Sequence, residues 1–273
     1  MNPMIVQAIA GALIILLGIG IFKAYPLKAD GRELIFGALF LLIALIVKMF
    51  SIRLPLFGFD SLRIGFAQIM LICGAVLIRP SWAFLMGLSY DFLGLLVNPT
   101  SFPFLGFTLG NILVCVLPSL WYHSKRTRKY TDYNLMLAVD AVLVLLCVLS
   151  LIFIGLTHEV KINTSQVAFT LWMKLGTAGI CVSVSAVLIV ALHFIKKRFS
   201  SEHLHELTNM MMVVLIVEIC VQFGCTPIWM QVMYGIPWAA SLFLRIVKAC
   251  VMIPLNVLIG YNILRAVRKM MRR

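Results

Sequence analysis

Arg245 and Lys248 stand three residues apart in the apolar run 242–265, a spacing that puts both cations on one face of a helix. Glu218 lies in a second apolar run, 207–224, and Asp91 in a third, 81–97. Lys48 is near the end of a fourth, 33–50, and Lys174 lies in 166–195. A charge at the middle of a membrane-spanning helix costs roughly 2.5–3.5 kcal/mol on insertion scales, so charges kept there call for a use. Two uses fit. Lys48 and Arg245 can snorkel to lipid headgroups while Asp91 and Glu218 pair with neighbouring cations. Alternatively, these residues line one outward-facing pocket with excess positive charge. Such a pocket suits an organic anion, whose carboxylate an arginine holds bidentately. Arg53 and Arg63 flank the same side, whereas Asp140, in the run 133–156, falls in the other half.

Other reactive patterns are sparse. The chain has no GxxxxGK[ST], HExxH or GxSxG, so it offers no phosphate-binding loop, zincin helix or nucleophile elbow. The stretch SSEHLHEL (200–207) could hold a metal through His203 and His205, but it reads better as a helix start. The seven cysteines form no CxxC pair and mostly lie in apolar runs, which marks them as small apolar fillers. No metal, cofactor or catalytic set is expected.

The elements that must position these charges follow from composition. Of 273 residues, 62% are hydrophobic and 12% charged, with a mean hydropathy of +1.05. A soluble domain is nearer half apolar and a quarter charged. The apolar runs are long and do not alternate, which predicts helices rather than barrel strands. The expected fold is therefore an all-α polytopic membrane protein with about nine transmembrane helices, at 4–22, 33–50, 62–78, 81–97, 105–122, 133–156, 166–195, 207–224 and 242–265. No basic residues precede the first run, so a retained first helix is expected rather than a cleaved signal.

The net charge of +13 is topological. Sixteen of the 23 Lys and Arg residues fall in one alternate set of connectors and the C-terminal tail: Lys23, Lys28, Arg32, Arg79, the KRTRK run, Lys196–Arg198 and five from Arg265 onward. The other set holds three: Arg53, Arg63 and Lys161. This bias predicts the N-terminus outside and the C-terminus in the cytoplasm. No basic face with a nucleic-acid reader fold is visible.

Two outer connectors are unusually aromatic. NPTSFPFLGFTLGN (98–111) offers Asn98, Thr108 and Asn111 as hydrogen-bonding groups, with Phe102 and Phe104 able to wall a planar ring. CTPIWMQVMYGIPWAAS (225–241) carries Thr226, Trp229, Tyr234 and Trp238. Each reads either as an interfacial aromatic anchor or as a lid over a planar ligand.

These stretches also carry a resemblance. LFGFDSLRIGFAQIMLICGAVLIRP (56–80), GLSYDFLGLLVNPTSFPFLGFTLGN (87–111), CTPIWMQVMYGIP (225–237) and LRIVKACVMIPLNVLI (244–259) resemble the folate-family substrate-binding (S) component of energy-coupling-factor (ECF) vitamin transporters. The matched positions are Leu62 to Phe66, Asp91, Gly94, Pro99, Thr100, Gly106 to Leu109, Arg245, Lys248 and Pro254. The resemblance implies a six-helix S-component-like core at 33–122 and 207–270. An extra N-terminal helix (1–32) and an inserted helix pair (123–206) complete a single membrane domain. It further implies a bacterial cell-membrane protein that is not an enzyme. Such a protein captures folate or a related vitamin for uptake powered by an ECF coupling membrane subunit and two ATPase subunits. Lys48 and Arg245 would face the ligand carboxylates, and Arg63, Thr100 and Lys248 fall on the matched stretches. Gly37 and Leu41 stand where the family docks its coupling subunit through two Ala. Two other readings stay open. One is a self-sufficient secondary transporter of a small organic anion, with Asp91 and Glu218 serving proton coupling. The other is a membrane enzyme.

Overall fold

The computed structural model describes residues 3–28, 30–56, 59–97, 103–124, 201–235 and 238–271, the strands at 159–162 and 165–168, and scattered helical residues between 137 and 190. The chain is predominantly helical. Helices α1 (Pro3–Ala24) and α2 (Gly31–Met49) are followed by a two-stranded antiparallel hairpin, β1 (Ile52–Leu56) and β2 (Phe59–Ile64). Then come α3 (Ala67–Leu77), α4 (Pro80–Val97) and α5 (Leu105–His123). A second hairpin pairs β3 (Glu159–Ile162) with β4 (Ser165–Ala168). The last part is α6 (Ser201–Val217), a π-helical stretch (Glu218–Cys225), α7 (Thr226–Tyr234) and α8 (Trp238–Met271).

Four helices among the described residues are long and apolar enough to cross a membrane: Met4–Ala24, Pro80–Val97, Leu105–His123 and Glu206–Tyr234. α2 matches them in length, but Arg32, Glu33 and Lys48 sit at its two ends around an apolar middle.

Three expectations need correcting. The run 62–78 is not one helix: Leu62 to Ile64 belong to β2, and α3 has 11 residues. At 1.5 Å per residue that is about 16 Å, roughly half of a bilayer core. The preceding IRLPL and FDSLRI strands hold few β-favouring residues, and it is their antiparallel pairing, Ile52 with Ile64 and Leu54 with Leu62, that defines the hairpin. The run 166–195 starts instead as strand, at β4. Finally, the connector expected at 225–241 is largely helix. The chain runs from α6 through the π stretch into α7 and turns only at Gly235. Glu206–Tyr234 is 29 residues long; at 1.5 Å per residue it reaches about 43 Å, well beyond a hydrocarbon core of about 30 Å.

Gly235 ends α7 with a left-handed φ of 65°, its N–H donating to Gln231 O at 3.1 Å. A residue with a Cβ resists that conformation. Asp30 caps α2, its side chain accepting from Arg32 N at 3.0 Å.

The core lies among α2, α3, α4, α5, α6 and α8, centred on Ile69, Ile72, Cys73, Cys115, Met210 and Val214. Glycines set the closest approaches. A Cβ at Gly74 would lie 2.7 Å from Phe40 Cβ, which seats α3 on α2, and one at Gly87 would lie 2.7 Å from Ile112 Cα, which seats α4 on α5. α1 packs outside this group, against α4, α5 and α7.

Connectivity defines two ends. The first hairpin, the C-terminal ends of α2 and α4, the start of α5 and the α7–α8 turn share one, here the hairpin end. Phe104 before α5 meets Trp229 of α7 there. At the opposite end Arg79 pairs with Glu33 at 2.9 Å and Arg268 with Glu206 at 2.5 Å. Arg268 also lies over the Tyr122 ring.

Candidate functional site

At the hairpin end the described charged side chains fall into two groups. The first joins α2, α4 and α5. Asp91, two turns before the end of α4, is 9% exposed. It accepts from Thr108 Oγ1 at 2.5 Å and from Asn111 Nδ2 at 2.8 Å. Thr108 and Asn111 are three apart on α5, so one face of that helix supplies both donors. Lys48 extends from α2 over the Tyr90 ring, 4.8 Å from its centroid. It crosses α4 at Gly94, where a Cβ would collide with Lys48 Nζ. Gly94 is thus the gap through which the cation reaches this group.

The second group joins α3, the π stretch and α8. Arg245 Nη1 donates to Gln222 Oε1 at 2.5 Å, Gln222 Nε2 to Gln68 Oε1 at 3.0 Å, and Gln68 Nε2 to Glu218 Oε1 at 3.2 Å. Glu218 is 4% exposed, and the cations whose fields act on it are Lys248 and Arg245. Arg245 Nε is buried without a hydrogen-bond partner among the described residues. The groups flank one contact: α5 meets the π stretch where a Cβ at Gly110, beside Asn111, would touch Val221 Cγ1 at 3.5 Å. The π stretch itself places Glu218 and Gln222 within one widened turn. Such turns often occur at functional sites.

The aromatic residues are placed differently from a ligand wall. Phe104 and Trp229 are buried edge to face, centroids 5.8 Å apart, with Phe107 edge-on to Phe104 at 5.6 Å. Val6 of α1 and Leu109 complete that cluster. Trp229 Nε1 has no hydrogen-bond partner among the described residues. Thr226 donates to Val221 O at 2.7 Å, satisfying a carbonyl of the π stretch rather than a loop.

Asn98, Thr100 and Phe102 lie outside the described residues, as does the side chain of Arg63. The backbone pairs Arg63 directly with Arg53 in the hairpin ladder. Gly37 is buried, and a Cβ there would meet Ile78 Cδ1 at 3.6 Å, while Leu41 packs half-buried on the core. Lys174 donates to Gly155 O at 3.2 Å, so it meets the other inserted segment. Among the described residues no three His, Cys, Asp or Glu side chains gather as a metal site would need.

Gln68, Gln222 and Tyr90 are the members that charge counting passes over. Gln222 reads as an ordinary polar residue beside Phe223. The available signal is that Gln68, Gln222 and Asn111 are uncharged hydrogen-bonding residues in apolar helices at one end of the bundle.

Compared with known proteins, the sequence matches no protein-family model and no curated protein.

Proposed function

We propose that this protein is the substrate-binding membrane subunit of an ECF-type importer. In this reading it spans the bacterial cell membrane about nine times, with its N-terminus outside. It captures an anionic vitamin, folate or a relative, at the hairpin end of the bundle and has no chemistry of its own. Separate ATPases and a coupling membrane subunit drive uptake.

The observation that carries the reading is the state of Arg245. One edge of its guanidinium is held by Gln222, while its Nε is buried with no partner among the described residues. A buried donor without an acceptor is costly, and a ligand carboxylate supplies the acceptor. Lys48 and Lys248 add positive charge at the same end. The sequence resemblance in 56–111 and 225–259 supports the vitamin class.

A second reading has its own observation. Asp91 and Glu218 are both buried carboxylates, as a proton-coupled secondary transporter of an organic anion would use. Uptake in cells lacking the ATPase subunits separates the two: it vanishes for an importer subunit and persists for a secondary transporter. Mass spectrometry of small molecules that co-purify with the detergent-extracted protein tests the ligand. A stoichiometric pterin–glutamate compound supports the folate class. A protein that purifies empty and ignores added folic acid rejects it.

A further inference from the structure

We infer that Gln222, Gln68 and Glu218 form a directional amide relay that positions Arg245, with its Nε side turned to a ligand carboxylate. The inference rests on the anion-binding reading above for what Arg245 meets, but the relay itself is a property of the ligand-free protein.

The direction of the chain follows from its two ends. A guanidinium can only donate hydrogen bonds and an ionised carboxylate can only accept them. Arg245 therefore requires the oxygen of Gln222 towards it, which turns the Gln222 NH2 to Gln68. The Gln68 oxygen must then face Gln222, and its NH2 must face Glu218. Every amide is used once as donor and once as acceptor, and neither can flip without setting two like groups against each other. The carboxylate thus holds the arginine through two neutral side chains rather than by direct pairing. A direct ion pair would consume the edge of the guanidinium that an anionic ligand needs. The relay occupies Nη1 and leaves Nε, on the other side of the group, without a protein acceptor among the described residues. Gln222 and Gln68 are positioning residues, since they act through Arg245.

The relay makes a signed prediction that a packing role does not. Gln222→Glu keeps the shape and pairs with Arg245 directly, so it cancels the charge that the ligand seeks. Its affinity for folic acid, used as the probe, falls about tenfold or more, the scale of one charge-assisted hydrogen bond. Glu218→Gln retains an acceptor oxygen for Gln68 but removes the competing negative charge, and affinity rises.

The deciding measurement is a ligand-free double-mutant cycle on thermal stability. Glu218→Gln and Arg245→Met, which each remove a charge, are combined in the natural background and again with Gln222→Leu. The relay requires non-additive shifts in the first background and additive ones in the second. Coupling that survives Gln222→Leu means that the two charges interact through space, and it overturns the relay. Should Gln222→Leu fail to fold, Gln68→Met interrupts the same chain one step on. Wild-type protein that ignores folic acid while showing the Gln222-dependent coupling rejects the vitamin reading and leaves the relay standing. If folic acid binds equally to the wild type, Gln222→Glu and Glu218→Gln, the positioning role is refuted even though the vitamin reading holds.

Discussion

Replacing Gly87 by Ala tests whether the α4–α5 seam holds the Asp91 group together. A Cβ at this position would lie 2.7 Å from Ile112 Cα, 2.8 Å from Asn111 O and 3.1 Å from Ile112 N. All three are backbone atoms, so no side chain can swing aside. Carbon contacts relax at about 3.5–4.0 Å, which requires the helices to part by about 1 Å. Asp91 is one turn further along α4 on the same face. Its hydrogen bonds from Thr108 and Asn111, at 2.5 and 2.8 Å, stretch toward or past the usual limit. Overpacking costs about 1–3 kcal/mol. A buried hydrogen bond lost from this carboxylate adds about 1–3 kcal/mol, and the better helix propensity of Ala returns about 1 kcal/mol. The expected net loss is about 1–5 kcal/mol. Gly20→Ala is the control: a Cβ at Gly20 has nothing within 4 Å, so only the propensity gain of up to about 1 kcal/mol applies. Both variants are compared by equilibrium unfolding in lipid bicelles. If Gly87→Ala is as stable as Gly20→Ala, the close backbone approach and the reasoning built on it are refuted.

Further outcomes can be checked the same way. Asp91→Leu strands Thr108 and Asn111 and costs about 1–3 kcal/mol for each group left unsatisfied; Asp91→Asn, which keeps one acceptor, costs less, and equal losses would remove the hydrogen bonds from the account. Trp229→Phe costs less than Trp229→Ala, because it keeps a ring against Phe104 and Nε1 has no partner among the described residues to lose. Trp229→Ala opens the packing around Phe104 and Val6 and costs about 3–5 kcal/mol. Gly235→Ala forces a side chain into a φ of 65° and costs about 1 kcal/mol, with Gly235→Asn costing less. Unfolding midpoints that rank Asn below Ala would contradict that turn.

Much of the helical layout can be read along the chain, because length and apolarity are local properties. The runs 4–22, 33–50, 81–97 and 105–122 each lie within two residues of an observed helix end. The hairpin before α3 escapes that reading because β2 leads through Leu62 and Ile64 into the apolar run of α3, and a hydropathy average does not distinguish a strand end from a helix start. The continuation through the π stretch escapes it because Gly224 and Pro227 look like breakers. Pro227 has no N–H to donate back into the preceding turns, and the turns before it, Glu218–Cys225, are the π-helical ones.

For the candidate site, the sequence by itself determined that Lys48, Asp91, Glu218, Arg245 and Lys248 stand in apolar surroundings, since a charge in an apolar run is visible without neighbours. It also determined their common end, through the alternation of helices. The tertiary structure alone decided which of them act together. Asp91 meets Thr108 and Asn111 only because Gly87 lets α5 approach. Arg245 is linked to Glu218 by hydrogen bonds through Gln222 and Gln68, the latter about 150 positions away in sequence from the residues it joins. Hydrogen bonds act over about 3 Å, so partners that far apart along the chain are selected by helix packing, which no local pattern records.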